Sequence, residues 1–198
     1  MAAMKIFDIF DVSEVKVEDP GLRRYITISA VLMPKSRGRE RTRFSKSNVN
    51  ILERLINLMS VPGHRGKKHR IMTKHATGKW GTNAKVLIEA LKIVEEKTKK
   101  NPVQVFLKAI ENAAPRDEIT TIEYGGAKYP QAVDVAPMRR LNVALRNIAH
   151  GAQDKTFGKK TTFASALASE LIGASEESVE SFAYAKKVET EKMADSAR

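Results

Sequence analysis

The chain has 198 residues, of which 35 are Lys or Arg against 23 Asp or Glu, so its formal charge is +12. That length supports one domain with a core of its own and is too short for two large ones. The absence of cysteine excludes a disulfide framework, a thiol nucleophile and a Cys-based zinc site, and it fits a reducing compartment. The charge balance points either to a polyanionic partner or to a merely soluble basic surface.

Residues 1–44 lack helical periodicity and read as an N-terminal extension. Asp8 and Asp11 interrupt the apolar run that a signal peptide would need there. Residues 25–32 are rich in strand formers and are compatible with one strand. The longest uncharged apolar stretch, 25–34, is far short of the roughly 20 residues of a membrane helix. The expectation is a soluble intracellular chain.

From Ser45 the pattern changes, because Val49, Leu52, Leu55, Ile56 and Met59 recur at three- and four-residue steps. This predicts a first helix, with Ser45 or Ser47 as its cap, ending before Pro62. The glycine-punctuated segment 64–81 reads as a loop. Thr82 or Asn83 opens a second helix with Leu87, Ile88, Leu91 and Val94 on one stripe. Asn101-Pro102 starts a third, Asn as cap and Pro at the first helical position, which stops near Ala114-Pro115. Residues 118–135 break the helical period around Gly125-Gly126 and read as a hairpin in which Tyr124 faces Ala127, Glu123 faces Lys128 and Ile122 faces Tyr129. Pro130 has no N–H to donate, so its strand needs an open side, and a lone ribbon must lean on helices or a partner.

Pro137 begins a fourth helix ending at Gly151, with Leu141, Ala144, Leu145 and Ile148 on one side and Arg139, Asn142, Arg146 and His150 on the other. A fifth runs from about Thr162 to Gly173. The sixth runs from about Ser175 to the end, with Glu176, Glu177 and Glu180 in its first turns, where the macrodipole favours acids. The fold class is therefore mainly α. It comprises a six-helix domain over 45–198 with a protruding two-stranded arm at 117–135 and an extended basic N-terminal segment.

Two basic clusters flank the first helix: Lys35, Arg37, Arg39, Arg41, Arg43 and Lys46, then Arg65, Lys67, Lys68, Arg70, Lys74 and Lys79. Such density repels itself, and phosphates relieve the repulsion as condensed counterions are released. Phe44 and Trp80 stand beside the clusters as stacking groups, so nucleic-acid binding is favoured over a solvated basic tail. Arg139 and Arg140 either bind phosphate or cover their own helix. Tyr124 and Tyr129 stack either on bases or on each other.

His64, His69 and His75 lack metal-ligand spacing and are crowded by cations, so no metal is expected. The run from Gly63 to Lys68 imitates a phosphate loop poorly, with Val61 where the first glycine belongs and Lys68 in place of the magnesium-binding Ser or Thr. Without a nucleophile elbow, a zinc-binding helix or a dinucleotide fingerprint, catalysis has little basis and no cofactor is called for.

Three runs carry a family resemblance: the stretch from Val49 to Asn57, that from Asn101 to Phe106, and Ala113-Ala114-Pro115-Arg116-Asp117-Glu118. The most specific stretch is Gln131-Ala132-Val133-Asp134-Val135-Ala136-Pro137-Met138-Arg139-Arg140-Leu141-Asn142. With Gly151-Ala152, Leu167-Ala168-Ser169-Glu170-Leu171, Ser181-Phe182-Ala183-Tyr184 and Ser196-Ala197-Arg198, the sequence resembles ribosomal protein seven of the small subunit, in its archaeal and eukaryotic branch, over residues 20–198. The resemblance implies a non-enzymatic helical protein that binds the 3′ major domain of small-subunit rRNA and nucleates head assembly among neighbouring ribosomal proteins in the cytoplasm. It also implies a hairpin near the exit site, close to mRNA and tRNA. The rRNA face would be the cluster from Arg37 to Lys46, Lys67, Lys68, Arg139 and Arg140, and the exit-site arm would be Tyr124, Gly125, Gly126, Lys128 and Tyr129. Lys35, Arg116, Arg146 and the second cluster through Trp80 complete the candidate RNA-binding set. Two rivals are a free DNA-binding regulator, which would need a dimer face and a base-reading helix, and an RNA-processing enzyme, which would need an acid, base or metal constellation.

Overall fold

The computed structural model describes residues 5–36, 41–60, 78–156 and 158–198, together with the backbone of 64–65 and 70–71. Among them the α-helices in chain order are α1 (Pro20–Arg23), α2 (Ile51–Ser60), α3 (Trp80–Thr98), α4 (Pro102–Ala113), α5 (Pro137–Thr156), α6 (Phe163–Ser175) and α7 (Phe182–Asp195). The strands are β1 (His64–Arg65) and β2 (Arg70–Ile71), paired antiparallel, and β3 (Asp117–Tyr124) and β4 (Ala127–Asp134), paired likewise. The helices α2 to α7 answer the six that the periodicity predicts.

The centre of the molecule is α6. Its alanines 164, 166, 168 and 174 are buried along with Leu167 and Leu171, so little side-chain bulk keeps neighbouring helices away, and α3, α4 and α5 all pack against it. Around it lie the predicted stripes: Leu87, Leu91 and Val94 of α3, Phe106, Leu107 and Ile110 of α4, and Leu141, Leu145 and Ile148 of α5, all fully buried. Each such side chain contributes about 1.5 to 3 kcal/mol on leaving water.

The N-terminal segment also enters this core. Ile6, Phe10, Leu22 and Ile26 belong to the same buried cluster, although their irregular spacing hides them from a periodicity search. The strand at 25–32 does not form; it reduces to one parallel bridge between Thr27 and Asn50, because α2 begins just beyond and offers no ladder to pair with. The cap of α2 is Asn50, whose Oδ1 accepts the Leu52 N–H at 3.0 Å. Ser45 and Ser47 lie instead in a preceding 3-10 turn, Ser45–Asn48.

Three further boundaries depart from expectation. α3 starts at Trp80, two residues ahead of Thr82, and Asn83 is not its cap: its buried amide donates to Ser60 Oγ at 2.8 Å and ties α3 to the end of α2. α5 runs past Gly151 to Thr156, since that glycine serves close packing rather than termination. α7 begins at Phe182 with Ser181 as cap, so Glu176, Glu177 and Glu180 sit in the connection before it.

The hairpin has the predicted register in full, Tyr124 with Ala127, Glu123 with Lys128 and Ile122 with Tyr129. Counting back from the two-residue turn, Thr121 and Pro130 form a non-hydrogen-bonded pair, so the proline nitrogen faces the open side of the ribbon. Residues 119–131 are exposed, while the base of the ribbon rests on α7. There Arg198 pairs with Asp117 at 2.7 Å and Glu191 accepts the Arg116 N–H at 2.9 Å.

Candidate nucleic-acid interface

Residues 35–36, the 3-10 turn with the α2 that follows it, the first residue of α3 and the middle of α5 converge on a cleft of about 580 Å³. Lys35, Lys46, Trp80 and Arg146, four of the sequence-predicted residues, line it. The convergence starts from Glu53. This carboxylate is 4% exposed and accepts the Ser36 N–H at 2.8 Å and the Ser36 hydroxyl at 2.7 Å. These bonds hold the 35–36 segment across α2 and bring the Lys35 ammonium to 5.3 Å from the centre of the Trp80 ring, a cation–π distance.

The neighbouring Arg54 reaches the other wall, donating to Asn142 Oδ1 at 3.0 Å and to the Tyr25 carbonyl at 3.3 Å. Burial lowers its pKa from the ordinary arginine value, which starts so high that the guanidinium keeps its charge at neutral pH. The lining therefore holds Lys35, Lys46, Arg54 and Arg146 against one carboxylate, Glu53, whose lone pairs are directed at Ser36. A site of this charge favours anions, and its half-buried indole adds a flat apolar surface.

Glu53 and Arg54 escape a reading by clusters, since they stand within the apolar run Ile51-Leu52-Glu53-Arg54-Leu55-Ile56. Adjacent charges inside such a run are the sequence signal that would have found them.

The other predicted residues are distributed elsewhere. Arg41 and Arg43 are exposed, with the Arg43 guanidinium 5.1 Å from the Phe44 ring, and Lys79 is exposed at the start of α3. Arg139, 61% exposed, pairs with Glu118 at the hairpin base at 2.7 Å. Arg140 is largely covered and pairs with Asp19 at 2.9 Å, holding α1 against α5. Arg116 is exposed beside the hairpin, and Tyr124, Gly125, Gly126, Lys128 and Tyr129 form its exposed tip. Arg65 and Arg70 are partners in the backbone register of β1 and β2. Arg37, Arg39, Lys67, Lys68 and Lys74, with His69 and His75, lie outside the described residues. No helix among the described residues is long and apolar enough to cross a membrane.

An alanine-rich helix ringed by others, a basic cleft with an aromatic residue in its wall and an exposed ribbon define the class as a helical module with a cationic cleft and a protruding arm. Comparison with known proteins narrows the class. The profile of the family described as Ribosomal protein S7p/S5e matches residues 22–198. Small ribosomal subunit protein uS7 of Nanoarchaeum equitans is 48% identical over 196 residues, covering 98% of this chain and 99% of the relative. The proteins of the same name from Methanococcus maripaludis and Methanosphaera stadtmanae are 45% and 43% identical over the same shares of both chains. The chain belongs to the S7p/S5e family of small-subunit ribosomal proteins.

Proposed function

We infer that this chain is a structural, non-enzymatic constituent of the small ribosomal subunit that binds the 3′ major domain of the small-subunit rRNA in the cytoplasm and nucleates assembly of the subunit head. The observation that carries this reading is the cleft, where Lys35, Lys46 and Arg146 from separate segments share one concavity with Arg54. Gathering like charges costs free energy in the free protein, and a phosphate backbone offsets that cost by releasing its counterions. Folded RNA suits such a face because it is recognised through shape and backbone, with a few unpaired bases.

The basic residues from Arg37 to Lys46, with Lys67 and Lys68, add positive charge for the same rRNA, and Arg139 exchanges Glu118 for phosphate. Arg140 supports it by holding α1. The exposed arm, with Tyr124 and Tyr129 at its tip, reaches mRNA and tRNA at the exit site, and neighbouring head proteins complete the surroundings.

The reading is tested by titrating the protein with a 3′ major-domain rRNA fragment against equal-length duplex DNA as competitor across a salt series. Affinity for the rRNA should survive the competitor and fall on the order of a thousandfold from 50 to 200 mM salt. Replacing Lys35, Lys46 and Arg146 together by alanine should lower the salt slope by about 2. Equal competition by DNA would reduce the chain to a generic polycation and favour the DNA-regulator reading.

A further inference from the structure

Trp80 is the one tryptophan of the chain. It begins α3 at the wall of the basic cleft, half-buried, and packs one side against the hydrophobic core. Its indole Nε1 is buried without a hydrogen-bond partner among the described residues. That N–H lies in the plane of the ring and is covered by protein, so what this residue offers to the cleft is its ring face. Over the ring stands Lys35, held there by the bonds from Ser36 to Glu53, with no ion pair to a carboxylate among the described residues. An ammonium over an indole is a weak arrangement at an exposed site, and a phosphate competes for it more strongly.

We propose that the Trp80 ring is a stacking platform for one unpaired RNA base, covered by Lys35 in the free protein and uncovered when Lys35 moves to a phosphate. The inference rests on the RNA-binding reading of this cleft and adds a specific ligand group to it. Both partners of the exchange gain. The ammonium trades a ring quadrupole for a full negative charge, and the indole trades a point cation for a flat π-surface of its own size. Exposed Asn57 also lines the cleft and carries an amide able to meet a base edge, while Lys46 and Arg146 of the same lining supply cations for that nucleotide's phosphates. A fully paired helix has no base to offer, so the platform distinguishes single-stranded loops and bulges from duplex.

Because the chain has a single tryptophan, emission excited selectively at tryptophan rather than at the four tyrosines reports on this position alone. The full-length protein should be titrated at low salt with hexa-adenylate, with an abasic hexamer carrying the same phosphates, and with a short RNA duplex. Hexa-adenylate should quench the emission and bind on the order of tenfold more tightly than the abasic hexamer. The abasic hexamer and the duplex should bind through charge with little quenching. With binding followed by the anisotropy of end-labelled hexamers, since these variants lack the tryptophan, Trp80→Phe should keep most of the preference for hexa-adenylate, whereas Trp80→Leu, which supplies apolar bulk without a π-face, should lose that preference. Lys35→Met should weaken every polyanion while preserving the base preference.

Binding of hexa-adenylate and the abasic hexamer with equal affinity and equal quenching would overturn the platform and leave the RNA-binding reading standing. Failure of all three probes and of the rRNA fragment to bind would overturn both.

Discussion

A Cβ added at position 151 would lie 2.8 Å from the Glu170 carboxyl and from Phe182 Cβ. Glu170 cannot move aside, because it is fully buried, pairs with Lys155 at 2.7 Å and accepts the Ser181 hydroxyl at 2.8 Å and the Ala183 N–H at 2.9 Å. Gly151→Ala gains up to about 1 kcal/mol of helix propensity and meets an overpacking cost of about 1 to 3 kcal/mol. Denaturant unfolding should show a net loss of stability, with no change in RNA affinity at concentrations where the variant is folded. Glu111 offers a pH-dependent counterpart. Its carboxylate accepts the N–H groups of Glu18 and Asp19 at 2.8 and 3.0 Å, yet desolvation outweighs those bonds and raises its pKa above the ordinary value. A raised carboxylate pKa means that the folded state holds the proton more tightly, so this group's contribution is fully present at acid pH and declines as pH rises through the folded value. Glu111→Gln keeps an acceptor without the charge. The stability of the wild type relative to the variant should therefore increase as pH falls from neutral, as followed by unfolding at a series of pH values.

At the scale of the element, the hairpin shows local chemistry prevailing. Gly125 and Gly126 have φ of +60° and +84°, values that a two-residue turn demands and that side chains resist. Register then follows from the turn, which is why all three cross-strand pairs read from the sequence appear in the structure. The tip contributes little to the fold, since residues 121–130 are exposed and the contacts to α7 lie at the base. Deleting residues 123–128 and closing the turn should leave stability within about 0.5 kcal/mol and helical circular dichroism unchanged. A broad loss of cooperativity would show that the arm is part of the core. Helix ends behave oppositely. Asn101 caps α4 where the sequence pattern puts it and Thr162, read only as the approximate start of its helix, caps α6, whereas Ser45, Ser47 and Asn83 do not cap, because Asn50 is fixed by Ser29 and Asn83 by Ser60 across the fold.

For the whole molecule, the N-terminal segment decides how the core closes. Ile6, Phe10 and Leu22 are almost wholly buried, and Asn101, Gln104 and Glu111 of α4 and its cap hydrogen-bond the backbone of Asp11, Lys16, Glu18 and Asp19. Exposing the cavities left by those three side chains would cost roughly 5 to 9 kcal/mol, comparable to the roughly 5 to 15 kcal/mol that holds a domain together. A chain lacking residues 1–23 should keep far-UV helicity while losing its cooperative thermal transition. Retention of a sharp transition at an unchanged temperature would mean that the segment is an appendage.

Periodicity and turn chemistry are properties of neighbours in sequence, so the six long helices, their buried stripes, the hairpin and its register could all be read from residue order, as could the excess of positive charge. Burial and approach are properties of neighbours in space. The packing of Ile6 and Phe10, the pairing of Arg140 with Asp19, the role of Gly151 and the cleft that joins Lys35 to Trp80 and Arg146 each depend on segments dozens of residues apart. No local pattern encodes such distances; they arise when α6 draws three helices around itself and the N-terminal segment closes over what remains.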